Sequence, residues 1–315
     1  MHRLDFEKPV IELEKKIEEL RKFVSEKKID LSSEIKRLED KLSTLRRDTY
    51  SNLTPWQKVQ IARHPKRPYT LDYIGLLMTD FIELHGDRGF ADDKAIICGL
   101  ARIQNRKVLV IGHQKGRDTK ENLRRNFGCA HPEGYRKALR AMSLAEKFDL
   151  PIVIFIDTPG AYPGLGAEER GQAEAIALNL REMTGVSVPI VAVIIGEGGS
   201  GGALGIGIAD RVYVLENAYY SVISPEGCAA ILWKDGSRAS EAAGVLKLTA
   251  QDLFKMGIID GIVPEPLGGA HHDQQKMAQA LGEVINKSLK DLSSFGKEEL
   301  LQMRYKKFRQ IGVTG

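Results

Sequence analysis

Apolar residues in the first fifty positions recur at helical spacing. Ile11, Leu13, Ile17, Leu20, Phe23 and Val24 form one stripe, and after a polar break at residues 30–33 a second runs through Ile35, Leu38, Leu42 and Leu45. Two charged amphipathic helices are predicted, with Ser32 or Ser33 as N-cap of the second and Glu34 in its first turn. Stripes this narrow cannot make a core alone, so the hairpin either packs on its own domain or also clasps another subunit. A proline-rich stretch from Arg63 to Tyr69 follows, and a helix is predicted over 71–84. From about residue 94 short β-branched runs alternate with helical patterns. Strands are predicted over 95–103, 108–111, 152–156, 190–195, 212–215 and 258–263, and helices over 133–148, 168–183, 201–208 and 248–255. Near-continuous Val/Ile runs belong to strands buried on both faces, which predicts an α/β architecture with parallel strands. Residues 274–309 return to amphipathic helix, with Met277, Leu281, Val284, Ile285 and Leu289 on one stripe.

Composition narrows the function classes mainly by exclusion. The chain has 46 Lys+Arg against 42 Asp+Glu, a net charge of +4, so no polyelectrolyte partner such as a nucleic acid is indicated. Its 43% hydrophobic content is globular rather than disordered. Cys98, Cys129 and Cys228 are odd in number and form no C-x-x-C pair. Neither a disulfide framework nor a zinc knuckle fits, no metal ligands are assigned, and a cytoplasmic setting is expected. The start of the chain lacks an apolar leader, and no apolar run approaches the ~20 residues of a membrane span.

Glycine is the outlier, at 31 of 315 residues, and two strand-to-loop junctions concentrate it. In the first, the strand over 152–156 runs into Asp157-Thr158-Pro159-Gly160-Ala161-Tyr162-Pro163-Gly164-Leu165-Gly166. Prolines stiffen such a loop while glycines let another molecule approach the backbone, so it reads as a binding wall or as an ordinary turn. In the second, the strand over 190–195 runs into a twelve-residue stretch, Gly196 to Gly207, of which seven are glycine. Amides opening a helix there are unobstructed by Cβ atoms and point, with the helix dipole, at any oxygen carrying negative charge.

Three chemistries compete for this second junction. Gly196-x-Gly198-x-x-Gly201 with Glu216 twenty residues on fits a dinucleotide fingerprint, although residues 202–210 are too short for the usual crossover helix. Gly198-x-Ser200-x-Gly202 fits a nucleophile elbow, which needs an acid and one of His2, His64, His85, His113, His131, His271 or His272. The third is an oxyanion-binding backbone without a side-chain catalyst, which asks only for the glycine amides. A cationic run, Lys115-Gly116-Arg117 to Lys120 and Arg124-Arg125, is either a solvated face or a site for anionic groups, with Lys115 and Arg117 as its anion-binding candidates.

Longer runs carry a family resemblance. They are Arg63-His64-Pro65, Arg67-Pro68-Tyr69-Thr70-Leu71-Asp72-Tyr73, Gly86-Asp87-Arg88, Asp92-Asp93-Lys94-Ala95 and Gly112-His113-Gln114-Lys115-Gly116-Arg117. Arg125-Asn126-Phe127-Gly128, Pro132-Glu133-Gly134-Tyr135-Arg136-Lys137-Ala138, the two glycine junctions and Ser224-Pro225-Glu226-Gly227-Cys228 continue them. Together they resemble the carboxyltransferase α subunits of bacterial-type, multi-subunit acetyl-CoA carboxylase, from the N-terminal helices to Gly268-Gly269-Ala270-His271.

The resemblance implies an α/β fold of the crotonase (ClpP-like) superfamily, a spiral of ββα units. It divides the chain into an N-terminal helical extension (1–70), a carboxyltransferase domain (71–270) and C-terminal helices (271–315). It implies transfer of a carboxyl group from carboxybiotin, held on a separate biotin carboxyl carrier protein, to acetyl-CoA. The product is malonyl-CoA, in the first committed step of fatty acid biosynthesis. An α2β2 heterotetramer is implied, with a zinc ribbon and most of the acetyl-CoA contacts on the β subunit. ATP use belongs to the biotin carboxylase component. This chain has neither a G-x-x-x-x-G-K-[ST] loop nor a Met-Lys-Met biotin attachment site. By the resemblance, the amides of Gly201 and Gly202 bind the biotin ureido oxygen. Gly160, Ala161, Gly164, Gly198, Gly199 and Ala203 line the same cleft, and Glu197 shapes the loop. The alternative outside the transferases is a ClpP-like serine hydrolase with Ser200 as nucleophile.

Overall fold

The computed structural model describes residues 4–27 and 30–312. After a 3-10 turn at Asp5–Glu7, helices α1 (Lys8–Lys27) and α2 (Ser32–Ser51) pair as the predicted hairpin. Only Val10 and Ile17 are fully buried on α1 and no residue is on α2; the stripe residues Leu13, Leu20, Leu38 and Leu42 are half-buried, and polar bonds also cross the pair. Arg21 meets Glu39 at 2.5 Å, Arg46 pairs with Glu14, and the Tyr50 hydroxyl donates to Glu7 Oε1 at 2.8 Å. Helix α3 (Pro55–Ala62) was not anticipated, yet its start is legible: Thr54 and Gln57 form a capping box ahead of a proline at the first helical positions.

The helix expected over 71–84 is half helix and half strand. Thr70–Leu77 is helical (α4), and the chain then extends into β1 (Met78–Glu83), antiparallel to β2 (Ile96–Ile103). Asp80 at φ +55° interrupts the ladder between Thr79 and Ile82, and that break in the alternation of Met78-Thr79-Asp80-Phe81-Ile82 hides the strand from a periodicity argument. Strand β2 turns back through Gln104 (φ +51°) into β3 (Arg106–His113), again antiparallel, so the all-parallel expectation fails on this side. From β3 onward it holds. Strands β4 (Ile152–Thr158), β5 (Ile190–Gly199), β6 (Arg211–Leu215) and β8 (Gly261–Val263) run parallel in the order β3-β4-β5-β6-β8. The short β7 (Tyr219–Ser221) pairs with the far end of β5 at Glu197, Gly198 and Gly199, while the first part of β5 pairs with β6.

Helices α5 (Thr119–Arg124) and α6 (Pro132–Lys147) join β3 to β4. On α6 the residues Tyr135, Ala138, Ala141, Met142 and Ala145 are buried at helical spacing against the sheet. The helix expected over 168–183 is two, α7 (Leu165–Glu169) and α8 (Gln172–Gly185), because Gly171 at φ +80° ends one and caps the next. After α9 (Ser200–Leu204) come α10 (Pro225–Trp233), α11 (Ala239–Val245) and α12 (Ala250–Lys255). The tail also divides, into α13 (Gln274–Leu292) and α14 (Lys297–Gln310). Arg304 of α14 is buried and donates to the carbonyls of Met183 (2.8 Å), Val186 (2.6 Å) and Val188 (3.0 Å), and to both carboxylate oxygens of Asp210 (2.8 Å each). Every residue of β4 and β5 is buried, which places the centre of the core directly beneath the two glycine junctions. No described helix is long and apolar enough to cross a membrane.

Candidate active site

Strands β4 and β5 run side by side from Ile152 opposite Ile190 to Thr158 opposite Gly198, so both glycine-rich junctions leave the sheet at the same edge. In α/β sheets, ligands collect at the carboxyl ends of parallel strands. The two turns are packed backbone on backbone. A Cβ on Gly199 would lie 2.2 Å from the Pro159 carbonyl oxygen, and one on Gly202 would lie 2.5 Å from the Ala161 nitrogen. Gly201 differs, since a Cβ there would meet only Ile176 Cδ1 at 3.7 Å, and one on Gly160 would meet nothing within 4 Å.

Among the residues singled out from sequence, Gly160, Ala161, Gly199, Gly201 and Gly202 therefore share one small region. Gly198 lies behind it against Tyr219 and Tyr220, Ala203 is buried, and Gly164 sits at the start of α7 beneath Tyr162. Helix α9 starts at Ser200, one residue earlier than expected, and ends at Leu204. The first N–H groups of a helix have no intrahelical acceptor, which leaves the amides of Ser200, Gly201 and Gly202 as donors at this edge.

Beneath the turns lies a buried ion cluster. Lys115 Nζ sits 2.6 Å from Asp157 Oδ1 and 2.7 Å from Glu197 Oε1. Glu197 Oε2 accepts from Arg63 Nε and from the Tyr219 hydroxyl, each at 2.7 Å, while the Glu197 amide donates to Asp157 Oδ1 at 2.9 Å. Arg63 also grips Glu226, at 2.5 and 3.2 Å. Burial alone would raise the Glu197 carboxyl, but Lys115 and Arg63 outweigh it and hold it down to about 2. Lys115 is raised in turn, because Asp157 and Glu197 overcome the cost of its burial. Lys115 and Glu197 are therefore both charged at neutral pH and have no proton to exchange there.

These partners correct the reading of the cationic run. The ammonium of Lys115 is turned inward, and Arg117 stacks on Tyr69 at 4.0 Å, donates to the carbonyls of Pro65 (2.6 Å) and Arg67 (2.9 Å) and pairs with Asp72. The Lys115 ammonium is thus spent inside the protein, whereas Arg117 stays exposed with its terminal nitrogens already paired. Arg117, Lys120 and Arg124 keep the exposed face that was expected.

The histidine inventory also resolves, apart from His2, which lies outside the described residues. His113, at the end of β3, is fully buried, and neither ring nitrogen has a hydrogen-bond partner. Burial and the Lys115 charge push it down to about 3, with the backbone of Gly202 acting weakly the other way. Ser200 has φ +53°, a left-handed conformation uncommon outside glycine, but no described histidine hydrogen-bonds to it. The serine triad is not assembled, and the hydrolase alternative loses its support. The roles of Arg63, Tyr219 and Glu226 were missed, because they reach Glu197 from segments distant in sequence and carry no local motif. The one available signal was Asp157 and Glu197 themselves, two acids closing otherwise apolar strands.

Comparison with known proteins agrees with this architecture. Residues 3–312 match the family described as acetyl co-enzyme A carboxylase carboxyltransferase-like. The chain is 61% identical over 309 residues to an acetyl-coenzyme A carboxylase carboxyl transferase subunit alpha of Halalkalibacterium halodurans, covering 98% of this chain and 95% of that protein. Its counterpart in Bacillus subtilis is 59% identical over 310 residues, with the same coverage. In fold the chain is similar to transcarboxylase 12S, with TM-score 0.56 at 21% identity, over 73% of this chain and 44% of that longer one. It is also similar to a chain of a Pseudomonas malonate decarboxylase hetero-tetramer, with TM-score 0.57 at 15% identity, over 68% of this chain and 85% of that one. The α/β crotonase-like expectation is met, and on the match along nearly its whole length the chain belongs to the acetyl-CoA carboxylase carboxyltransferase family, on its alpha-subunit branch.

Proposed function

We propose that this chain is the α half of a carboxyltransferase that moves a carboxyl group from biotin, carried on a separate biotin carboxyl carrier protein, to acetyl-CoA, forming malonyl-CoA for fatty acid biosynthesis. The observation that carries the site assignment is the turn at Ser200, Gly201 and Gly202, seated on Gly160 and Ala161 at the carboxyl ends of neighbouring parallel strands. The donors fit a neutral ureide: backbone amides face the edge, the space beside Gly160 is open, and the charged groups below are paired with each other. Bound there, biotin supplies the nitrogen that carries the carboxyl group.

This chain's part is to hold and to orient. The amides of Gly201 and Gly202 hydrogen-bond the ureido oxygen and stabilise negative charge as it grows there, a donor of this kind being worth about 10²–10³ in rate. Asp157, Lys115 and Glu197 tie the ends of β3, β4 and β5 together, so the amides do not need to be reorganised during the reaction. Glu197, held down to about 2, and His113, pushed down to about 3, are too weakly basic to serve well as a general base at neutral pH. The matching amides for the acetyl-CoA oxygen belong to a β subunit in an α2β2 assembly, which also brings the zinc ribbon. The three cysteines here are free and belong to no described group close enough to bind a metal. ATP is consumed on the biotin carboxylase component, and the assembly is placed in the cytoplasm. The test is malonyl-CoA formation by each subunit alone and by the mixture: activity only in the mixture is expected, and full activity of a β subunit alone refutes the shared site.

A further inference from the structure

Where the N-terminal hairpin meets the body of the protein, three side chains converge. One carboxylate oxygen of Glu7 and one ring nitrogen from each of His271 and His272 all lie within 4.8 Å of one another. The turn that delivers the two histidines is built around them. Gly268 and Gly269 have φ +98° and +108°, a Cβ on Gly268 would lie 2.6 Å from His272 Cδ2, and one on Gly269 would lie 3.1 Å from His271 Cε1. Each glycine thus clears the space of one imidazole.

The surroundings hold these groups in place. Tyr50 of α2 donates to Glu7 Oε1 at 2.8 Å and meets His272 edge-on at 6.3 Å, while His64 stacks on His271 at 4.0 Å. His271 Nδ1 is buried without a hydrogen-bond partner. Two imidazoles and a carboxylate are the donor set of zinc and similar first-row cations, and metal-bound ligands are normally steadied by outer contacts such as those of Tyr50. Ligands of a tetrahedral ion at ~2.0–2.1 Å stand roughly 3.3 Å apart, so the cluster closes by side-chain shifts of about 1 Å.

We propose that Glu7, His271 and His272 form a binding site for a zinc-class divalent cation that clamps the N-terminal hairpin to the body, with water completing the coordination. The site shares no residue with the glycine turns.

The experiment uses the full, untagged chain, stripped with a chelator and titrated with zinc, and separately with cobalt(II) as a spectroscopic probe. One equivalent of either ion is expected to bind, with visible cobalt absorption bands that zinc abolishes. Glu7→Gln and His272→Gln are each expected to weaken zinc binding by about tenfold or more. In the unaltered chain, zinc is expected to protect His272 from acylation by diethyl pyrocarbonate. That reading needs no variant and therefore stands even where a variant fails to fold. Absence of stoichiometric binding, unchanged affinity in either folded variant, or acylation of His272 at the same rate with and without zinc overturns the proposal.

Discussion

A Cβ on Gly202 would lie 2.4 Å from the carbonyl carbon of Gly160. The two turns of the site are thus in backbone contact, and the smallest possible side chain already pushes them apart. Gly202→Ala is expected to lower malonyl-CoA formation by the reconstituted complex by about 10²-fold, the scale of one displaced oxyanion donor. Gly201→Ala, with 3.7 Å to its nearest neighbour, is expected to stay within a few-fold of the unaltered rate. Equal losses in the two variants would remove the distinction between a packing glycine and a facing one.

Replacing Lys115 with Met takes from Asp157 its ion-pair partner in a buried site and leaves Glu197 with Arg63 alone. Removing one partner of such a cluster costs about 3–5 kcal/mol, read as a lower denaturant midpoint. The double variant Lys115→Met with Glu197→Gln is expected to recover part of that loss. Because Lys115 faces inward, the variant's defect appears as lost stability rather than as a raised KM for CoA that depends on salt.

Acid should weaken the fold in two stages. His113 binds its proton only near pH 3 when folded but near its ordinary 6.5 when unfolded, so the unfolded chain holds more protons between those values and stability falls as pH drops from 6.5. Two units of that window correspond to about 2–3 kcal/mol. Glu197 adds a second loss below pH 4.5, its ordinary value, as the pH approaches its folded value of about 2. His113→Met, which removes two unpartnered ring nitrogens, is expected to reduce the slope of unfolding free energy between pH 6.5 and 4.5 without abolishing it, since His271 and His272 are lowered by burial as well, and to leave the lower stage in place. A profile as steep as that of the unaltered chain would remove His113 as the source.

Arg304 fastens α14 through five donated hydrogen bonds to Asp210 and the Met183–Val188 turn. Arg304→Met strands the buried Asp210 carboxylate, which also caps the amide of Ile190 at the start of β5. A loss of about 3–5 kcal/mol is expected, with hydrogen exchange accelerated first in α14 and at the start of β5.

How far the sequence could be read depended on whether the cause was local. The strands β3 to β6 were legible, since runs such as Ile152-Val153-Ile154-Phe155-Ile156 have no alternative to burial on both faces. The glycine turns were legible as a place, though not as individual roles, because Gly199, Gly201 and Gly202 read alike in sequence and differ only in what their Cβ positions would meet. Strand β1 was hidden by an irregular residue, Asp80, and the divided helices by Gly171 and the turn before Gly296. The ion cluster was illegible for a different reason. Arg63, Lys115, Asp157, Glu197 and Tyr219 sit on five separate segments, and the fold alone makes them neighbours.

Strand β5 exchanges β6 for β7 on one flank while β4 follows it on the other as far as Gly198. A strand with such divided allegiance cannot slip lengthwise by a residue or two without breaking three ladders at once. The position of the amides at Ser200 to Gly202 is therefore inherited from the innermost strand of the core rather than from the loops around it. Surface loops can then diversify to suit different partners while the catalytic coordinate stays indexed to the sheet. Conversely, a mutation deep among Ile190 to Ile195, remote from any ligand, is able to detune the chemistry by moving that index.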